Sequence, residues 1–233
     1  MAPEVAALSG AVIAFDLDGT LVDTAPDLVG TLNLLLRQEG LAPLPIDVAR
    51  PLIGHGARRL IERGFEAAGA PLPAERAAGL FDRFIAHYFA RIAEESRPFP
   101  GVIPALGALK AAGARLAVCT NKPTDLSLAL LGALQMSALF EAVVGPDGAP
   151  ARKPDPRHLE AAVHAAGGSL QRAIMVGDAI TDAEAARAAG TPLVLVSFGY
   201  TETPAAELAP DVLIDHFDEL PDACLRLLGA CGS

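Results

Sequence analysis

The sequence predicts an α/β protein built on a doubly wound parallel sheet, with an all-helical cap domain inserted into it. Short apolar runs rich in Val, Ile and Leu recur along the 233 residues, and alanine-rich segments of helical periodicity separate them. This alternation is typical of buried parallel strands joined by crossover helices. About a hundred residues separate the first run from the second, whereas a crossover needs only ~10–12. The core is therefore predicted to be Rossmann-like and interrupted by an insertion.

Six apolar runs are strand candidates, and a loop and a helical segment follow each of them. They are residues 11–15, 115–119, 142–145, 173–176, 193–196 and 212–214. Residues 1–20 and 97–233 are accordingly assigned to an α/β core domain.

The insertion, residues 21–96, has a helical pattern throughout and is predicted to be the cap domain. Apolar residues at helical spacing predict helices over 25–38, 46–53, 57–68 and 74–94. Thr24, with Asp27 three residues later, is predicted to form a capping box at the start of the first helix. Turn residues at 98–101 close the insertion.

Charge and composition exclude several classes of partner. The formal net charge of −10 repels nucleic acid and anionic membrane surfaces. The longest uncharged stretch, residues 126–140, is too short to span a bilayer, and no basic residue precedes Arg37, so no signal peptide is indicated. Three cysteines without CxxC spacing indicate a reducing compartment. We expect a cytoplasmic protein, either monomer or homodimer.

Reactive side chains follow four of the predicted strands, at the edge where open parallel sheets bind ligands. The four segments are 16–20 (DLDGT), 120–123 (TNKP), 153–154 (KP) and 177–182 (GDAITD). Together they combine several carboxylates with a threonine hydroxyl and a lysine.

Asp16 and Asp18 stand where the first strand breaks into a loop, and Gly19 permits the turn that lets both face a cleft. Two carboxylates so placed suit a division of labour, in which one is a nucleophile or metal ligand and the other moves a proton. An acidic loop that caps a helix is the alternative for a single DxD pair. The full string DLDGTLVDT after an apolar strand is much more specific.

The four segments, in this order and context, resemble the motifs of the haloacid dehalogenase-like superfamily of phosphotransferases, and the resemblance covers nearly the whole chain. It implies a phosphatase acting on a small phosphorylated metabolite. Asp16 would attack the phosphoryl group to form an aspartyl phosphate, while Asp18 would protonate the leaving oxygen and later activate water. The residues that would bind the phosphoryl group or the substrate are Thr120, Lys153, Gly19 and Asn121.

The same resemblance implies a Mg²⁺ site made by Asp16, Asp178 and the backbone carbonyl of Asp18, with Asp182 in support. The charge count independently predicts a bound cation, since four carboxylates and a phosphate dianion would have Lys153 as their only positive partner. Each close pair of like charges costs on the order of 4 kcal/mol at an effective dielectric near 20. An all-oxygen ligand set of this kind suits Mg²⁺ better than a calcium cage.

Substrate recognition is expected from the cap. His55 lies between two glycines that let its loop approach a ligand, and Arg58, Arg59 and Arg63 follow at the start of a helix. Because the cap holds no lysine, these arginines are the predicted partners of a substrate carboxylate. The backbone amides of residues 54–56 are the alternative, and each arginine could instead belong to a solvated face.

Other residues near the motifs stay open at this point. Lys122 is either functional or solvated, and Asp23 either caps the next helix or lines the cleft. Cys119 ends a buried strand and is expected to be a small core residue rather than a nucleophile. His158, like the other histidines apart from His55, has no ligand spacing and is expected on the surface or in a satisfied core position.

Particular residues separate the reactions of this superfamily. Asp18 argues against the dehalogenases, and the absence of any lysine before Lys110 argues against the phosphonoacetaldehyde hydrolases. Leu28 stands where mutases of the β-phosphoglucomutase kind have a histidine. Several strings, among them DTAPDL, IGHG and TNKP, resemble the bacterial phosphoglycolate phosphatase branch. Hydrolysis of 2-phosphoglycolate is thus implied, while pyrophosphate, a sugar phosphate such as N-acetylmuramic acid 6-phosphate, a nucleotide, or a noncatalytic phosphate-sensing module remain alternatives.

Overall fold

The computed structural model describes residues 8–54, 56–72 and 74–230, and all six predicted strands are present there to within one residue at either end. In chain order the strands are β1 (Val12–Phe15), β2 (Val22–Asp23), β3 (Arg97–Pro98), β4 (Arg115–Cys119), β5 (Ala142–Val144), β6 (Ala173–Gly177), β7 (Leu193–Val196) and β8 (Val212–Ile214). The helices within the same residues are α1 (Ala25–Gln38), α2 (Ile46–Ala49), α3 (Ala57–Ala67), α4 (Ala74–Ala90), α5 (Val102–Ala111), α6 (Thr124–Ala133), α7 (Pro156–Ala165), α8 (Ile180–Ala189) and α9 (Leu220–Ala230).

Six strands form one parallel sheet in the order β5-β4-β1-β6-β7-β8. The chain builds outward from β1 through β4 to β5, then returns and builds the other way from β6. Loops at the carboxyl ends therefore diverge beside β1, which leaves the crevice where such sheets bind ligands. The predicted doubly wound parallel sheet is confirmed.

Helices cover both faces of the sheet because the central strand is apolar on both sides. Ile13 and Phe15 of β1 belong to one buried apolar cluster, whereas Val12 and Ala14 belong to a second on the opposite face. Alternate residues of a strand point to opposite faces, so an unbroken apolar run places one residue set in each cluster. Strand β1 thus lies between two packed apolar layers.

Helices α1 to α4 form a third buried apolar cluster, which Leu32, Phe65 and Phe84 exemplify. Two residues from outside the insertion, Leu126 and Tyr200, are buried in the same cluster. The helical insertion is thus packed around apolar residues of its own and is in direct apolar contact with the sheet-bearing part of the chain.

A two-stranded antiparallel ribbon joins the insertion to the sheet, with Val22 paired to Pro98 and Asp23 paired to Arg97. The Phe99 N–H also donates to the Leu21 carbonyl at 3.1 Å. The sequence did not predict this ribbon, since strands of two residues are too short to show a period.

The capping box predicted at the start of α1 is wrong. Thr24 makes no side-chain cap bond, and the Ala25 N–H donates instead to the Tyr200 hydroxyl at 3.0 Å. The Asp27 carboxylate accepts from the backbone N–H and the hydroxyl of Ser96, at 2.8 and 2.6 Å. Partners distant in the sequence thus outcompete the local cap.

Two predicted cap helices are shorter than expected. The helix predicted over 46–53 consists of α2 followed by a 3-10 turn, Arg50–Leu52, because Pro51 lacks the N–H that a continuing helix needs. The helix predicted over 74–94 ends at Ala90. No helix among the described residues combines the length and apolarity that crossing a membrane requires.

Candidate active site

Three strand ends bring the predicted motifs to one edge of the sheet. Asp16 follows β1, Thr120 follows β4 and Asp178 follows β6. The backbone ladder continues one residue past two of these strands: the Asp16 N–H donates to the Val176 carbonyl at 2.9 Å, and the Thr120 N–H to the Val144 carbonyl at 3.1 Å. The sheet itself therefore fixes where these residues stand.

Asp16 is buried and faces a lysine. Its Oδ1 accepts the Leu17 N–H at 2.7 Å and lies 3.1 Å from the Lys153 Nζ. Burial raises the pKa of Asp16 to about 6, with Lys153 opposing the rise and Asp182 and Asp18 adding to it. The second oxygen of the same carboxylate carries no hydrogen bond from any described residue, so it is the oxygen free for chemistry.

Asp178 is held on both oxygens. Thr20 donates its hydroxyl to Oδ1 at 2.8 Å, and the Tyr200 N–H donates to Oδ2 at 2.7 Å. Burial, with the neighbouring Asp182 and Asp16 adding to its effect, raises the pKa of Asp178 to about 8. The turn beside it requires glycine: Gly19 has φ +86°, and a Cβ there would lie 2.6 Å from the Asp178 Oδ2.

Oxygen atoms of Asp16, Asp178 and Asp182 lie within 4.8 Å of one another. Asp182 is the least free of the three. Its Oδ1 accepts from Lys153 at 2.6 Å, and its Oδ2 accepts the N–H groups of Asp178 and Ala179 at 3.1 Å each. The cluster thus offers two carboxylates toward the cleft and one that orders the surrounding loop.

Lys153 is fully buried between two carboxylates, Asp16 and Asp182. Burial lowers the pKa of Lys153, but Asp16 and Asp182 raise it by more, so the ammonium stays charged. Its loop is held from behind, because Asn121 donates its side-chain amide to the Lys153 carbonyl at 3.2 Å. The structure thus places Asn121 next to the site as a support for the lysine.

His158 anchors the same loop. Its Nδ1 accepts the Lys153 N–H at 3.0 Å, and its Nε2 lies 3.1 Å from the Val144 carbonyl. With Nδ1 accepting, Nε2 carries the proton and donates. The ring is fully buried, and burial, followed by the nearby Lys153, lowers its pKa to about 4. The histidine is a satisfied core residue, one of the two roles expected for it.

We expect His158 to make the fold acid-sensitive. An unfolded histidine binds a proton below about pH 6.5, whereas the folded one stays neutral down to about pH 4, so acid favours the unfolded chain. The difference is worth on the order of 3 kcal/mol. Urea unfolding at pH 7 and pH 4 should show His158→Gln losing that much less stability than the wild type.

The difference in pH dependence between the wild type and His158→Gln reports on His158 alone, because the two proteins share every other titrating group. His164→Gln, a change on an exposed position of α7, should retain the wild-type pH dependence. An equal loss of stability in wild type and His158→Gln would contradict the assignment.

Asp18 points toward the insertion and pairs with a second lysine. The Lys122 Nζ lies 3.1 and 3.2 Å from the two Asp18 oxygens and donates to the Tyr88 hydroxyl at 2.8 Å. It also lies 4.4 Å from the Tyr88 ring centroid. Burial lowers the pKa of Lys122, but Asp18 and Tyr88 raise it by more. Lys122 is therefore a buried cation of the site and not a solvated side chain.

Asp23 ties the insertion to the sheet. Its carboxylate accepts from the Tyr200 hydroxyl, from the Ala25 N–H at 3.4 Å and from Arg50 at 3.3 Å. Tyr200 thus bridges Asp178 on the sheet edge and the first turn of α1. Of the two roles considered for Asp23, capping is the one the contacts support.

The predicted cap arginines are engaged away from Asp16 and Asp18. Arg58 stacks on the Phe81 ring at 4.3 Å, Arg59 pairs with Glu62 at 3.1 Å, and Arg63 pairs with Glu202. They line a wide cleft on the Lys153 side of the site. His55, the other cap residue singled out, lies outside the described residues.

A small pocket, which is more enclosed than the wide cleft and is called the enclosed pocket below, lies between the sheet edge and helices α1, α3 and α4. Asp16, Asp18, Thr120 and Lys122 form its polar end. Its remaining walls are mainly apolar. The three helices contribute Leu28, Leu60, Phe84 and Ile85, the loop before α3 contributes Ile53, and α6 contributes Leu126.

Several residues of the site were missed by sequence reasoning. Tyr88 and Tyr200 are the only tyrosines of the chain, and both lie here, yet neither belongs to a motif. Thr20 stood inside the DLDGT string but received no role of its own. Cys119 is buried, and burial raises the pKa of its thiol to about 12, which agrees with the core role expected for it.

The chain is similar to known proteins over nearly its whole length. Residues 11–190 match the family model described as haloacid dehalogenase-like hydrolase. A phosphoglycolate phosphatase from Caulobacter vibrioides is 62% identical over 96% of this chain and 94% of its own. One from Agrobacterium fabrum is 48% identical over 94% of each chain. The crystal structure of a predicted phosphoglycolate phosphatase from Haemophilus somnus superposes with a TM-score of 0.84 at 32% identity, covering 91% of this chain and 97% of that one.

Proposed function

The chain belongs to the haloacid dehalogenase-like hydrolases, and from this premise we propose that it is a Mg²⁺-dependent phosphatase that hydrolyses 2-phosphoglycolate to glycolate and phosphate. The family predicted from the sequence is confirmed, and its relatives at 62% and 48% identity are named phosphoglycolate phosphatases. The observation that carries the proposal is the pair Asp16 and Asp18 at the end of the central strand, each beside its own buried lysine.

The two aspartates divide the reaction between them. A carboxylate oxygen of Asp16 attacks phosphorus and forms an acyl phosphate, while the bond from phosphorus to the glycolate oxygen breaks. Asp18, in its protonated form, gives its proton to that leaving oxygen, and its own carboxylate is then free to pair with Lys122. In the second step Asp18 takes a proton from water, the water oxygen bonds to phosphorus, and the Asp16 carboxylate is released. Asp16 thus ends as it began.

Lys153 and Thr120 would bind the phosphoryl oxygens. Lys153 is charged and fully buried, so its attraction for a phosphoryl group is weakly screened. Thr120 is buried at the end of β4 and accepts the Lys122 N–H at 3.2 Å, which leaves its own hydroxyl proton to donate. Asp182 keeps Lys153 in place from the far side.

The donor set fits Mg²⁺. Buried carboxylates of Asp16 and Asp178 lie close enough to raise each other's pKa, so a cation held between them would stabilise both in the charged form. Their hard oxygens, with the Asp18 carbonyl as a third ligand, are the donors that Mg²⁺ prefers. When bound, the ion would neutralise charge on the phosphoryl oxygens. Asp182 would stay a supporting residue because one of its oxygens is paired with the Lys153 ammonium at 2.6 Å and the other accepts two backbone N–H groups.

We assign residues 21–96 the role of a cap over a core made of residues 1–20 and 97–233. The ribbon of β2 and β3 lies at both joins, as a hinge between two bodies requires. The enclosed pocket has most of its apolar walls on the cap and its reactive groups on the core, so closure of the cap would exclude water from the reacting atoms.

A phosphate-release screen tests the proposal. The panel consists of 2-phosphoglycolate, pyrophosphate, N-acetylmuramic acid 6-phosphate, a nucleoside monophosphate and an aryl phosphate, each with Mg²⁺ and with EDTA. We expect 2-phosphoglycolate to have the highest kcat/KM and EDTA to abolish release. Preference for another member by tenfold or more would replace the substrate, and no release from any of them would favour a noncatalytic module.

A further inference from the structure

We infer that Lys122 binds a carboxylate on the substrate's leaving group, and that the site thereby selects short phosphomonoesters with a carboxylate close to the ester oxygen. The inference rests on the proposed function, and it replaces the arginines of α3 as the expected partners of that carboxylate. Lys122 is one of only three lysines in the chain, and it lies in the enclosed pocket.

The first argument is the placement of two cations beside two aspartates. The Lys153 Nζ lies 3.1 Å from Asp16, and the Lys122 Nζ lies 3.1 Å from Asp18. The phosphoryl group must lie against Asp16, which attacks it. The leaving oxygen must lie against Asp18, which protonates it. The atoms that follow the leaving oxygen therefore come to the Asp18 side, where the available ammonium is that of Lys122.

The second argument is the state of that ammonium. Its side chain is 3% exposed, and its partners among the described residues are the Asp18 carboxylate and the Tyr88 hydroxyl. An ammonium has three N–H groups. Two of its hydrogen bonds go to the two oxygens of the single Asp18 carboxylate and one goes to Tyr88, so a ligand carboxylate would take over one of the two Asp18 bonds. A buried charged donor of this kind gives a strong hydrogen bond to a carboxylate.

The third argument is the shape and chemistry of the pocket. Leu28, Leu60, Phe84 and Leu126 are among its walls, and Lys122 is the only lysine or arginine among the described residues that line it. The small size of the pocket favours a compact leaving group, and its apolar walls with a single cation at the polar end favour one anionic substituent. A two-carbon acid such as glycolate has this composition.

The arginines of α3 neither line the pocket nor lack a partner of their own. None of the three lines the enclosed pocket, and each already has an aromatic or carboxylate partner elsewhere. Arg59 pairs at an exposed position, where an ion pair contributes little. They belong to the wide cleft outside the pocket.

The test uses two phosphonates that the enzyme cannot hydrolyse. In 3-phosphonopropanoate a methylene replaces the ester oxygen of 2-phosphoglycolate, and in propylphosphonate a methyl further replaces the carboxylate. Calorimetry with Mg²⁺ should show the wild type binding the carboxylate compound about 10- to 100-fold more tightly. In Lys122→Gln the preference should fall to within about threefold, with propylphosphonate affinity unchanged.

Because no bond is broken, any effect of Lys122 on proton transfer by Asp18 cannot produce this result. Lys122→Gln keeps polar contacts to Asp18 and Tyr88, and Lys122→Met serves as a second variant should the first not fold. Tyr88→Phe retains the ammonium and should retain the preference. Lys110→Met, which removes a lysine outside the site, is the matched control.

A Lys122 variant that binds both phosphonates as the wild type does, or loses both equally, would overturn the inference. Loss of the preference in a combined Arg58→Ala, Arg59→Ala and Arg63→Ala variant would overturn it as well. Failure of the wild type to release phosphate from 2-phosphoglycolate is a separate outcome, which removes the proposed function. Release by the wild type with the preference intact in Lys122→Gln removes this inference alone.

Discussion

Asp16→Asn is expected to abolish turnover, with phosphate release falling by about 10⁴-fold or more, since the amide cannot form an acyl phosphate. The fold should survive. The oxygen that accepts from Leu17 and faces Lys153 is retained in asparagine, and the second oxygen carries no hydrogen bond from a described residue. Steady-state phosphate release and a thermal melt measure the two expectations, and mass spectrometry of acid-quenched enzyme should show a phosphorylated wild type only.

Asp82→Asn is the matched control, because it makes the same chemical change at an exposed position of α4. It should keep wild-type activity and form the phosphoenzyme. Activity of Asp16→Asn within tenfold of the wild type would remove the covalent mechanism.

Asp178→Asn is expected to lower activity by about 10³-fold at Mg²⁺ concentrations that saturate the wild type, because a bound cation contributes several kcal/mol to stabilising transition-state charge. The same change should be visible without turnover. At 100 times its Kd a ligand adds about 2.7 kcal/mol of stability, or ~5–10 °C in Tm for a chain of this size. Mg²⁺ should raise the Tm of the wild type and not that of the variant.

Asp222→Asn, an exposed change on α9, should show the full Mg²⁺-dependent rise in Tm. If Mg²⁺ raises the Tm of Asp178→Asn as much as that of the wild type, Asp178 is not a ligand. If Mg²⁺ leaves the wild type itself unchanged, the donor set does not form a magnesium site.

The parallel sheet could be predicted because its information is local. A central strand such as β1 is apolar on both faces, and a loop with reactive residues follows it directly. An apolar run followed by such residues therefore indicates both the strand and the loop at its carboxyl end. Parallel pairing then brings the strand ends together wherever the intervening chain goes. Asp16, Thr120 and Asp178 could therefore be assigned to one edge from the sequence alone.

The contacts between cap and core could not be predicted in the same way. Tyr88 and Tyr200 each act through a hydroxyl on a partner more than thirty residues away, and no spacing rule connects such positions. The capping box failed for the same reason: Thr24 and Asp27 had the right local spacing, but the Asp27 carboxylate accepts from Ser96 and the Ala25 N–H donates to Tyr200. A local sequence pattern can suggest a hydrogen-bond partner, but the packing of distant segments determines which partner is used.

The predicted arginines show how charge counting can mislead. They were chosen because the insertion contains no lysine, on the premise that the cap must supply the cation for a substrate carboxylate. Lys122 belongs to the core but is buried against Tyr88 of α4, so the pocket receives its cation from the opposite side. The position of a residue in the sequence indicates whether it belongs to the sheet-bearing part or to the insertion, but it does not show which wall of the pocket the residue forms.

The scarcity of lysine has a practical consequence for attaching the protein to surfaces. Two of the three lysines are buried at the site, and Lys110 alone has a partly exposed side chain, 31%. It lies in the last turn of α5, which leads into the amino-terminal end of β4 and thus into the sheet edge opposite the site. Attachment through a lysine side chain should therefore join an electrode or bead to that edge, and the mouth of the pocket should face the solution.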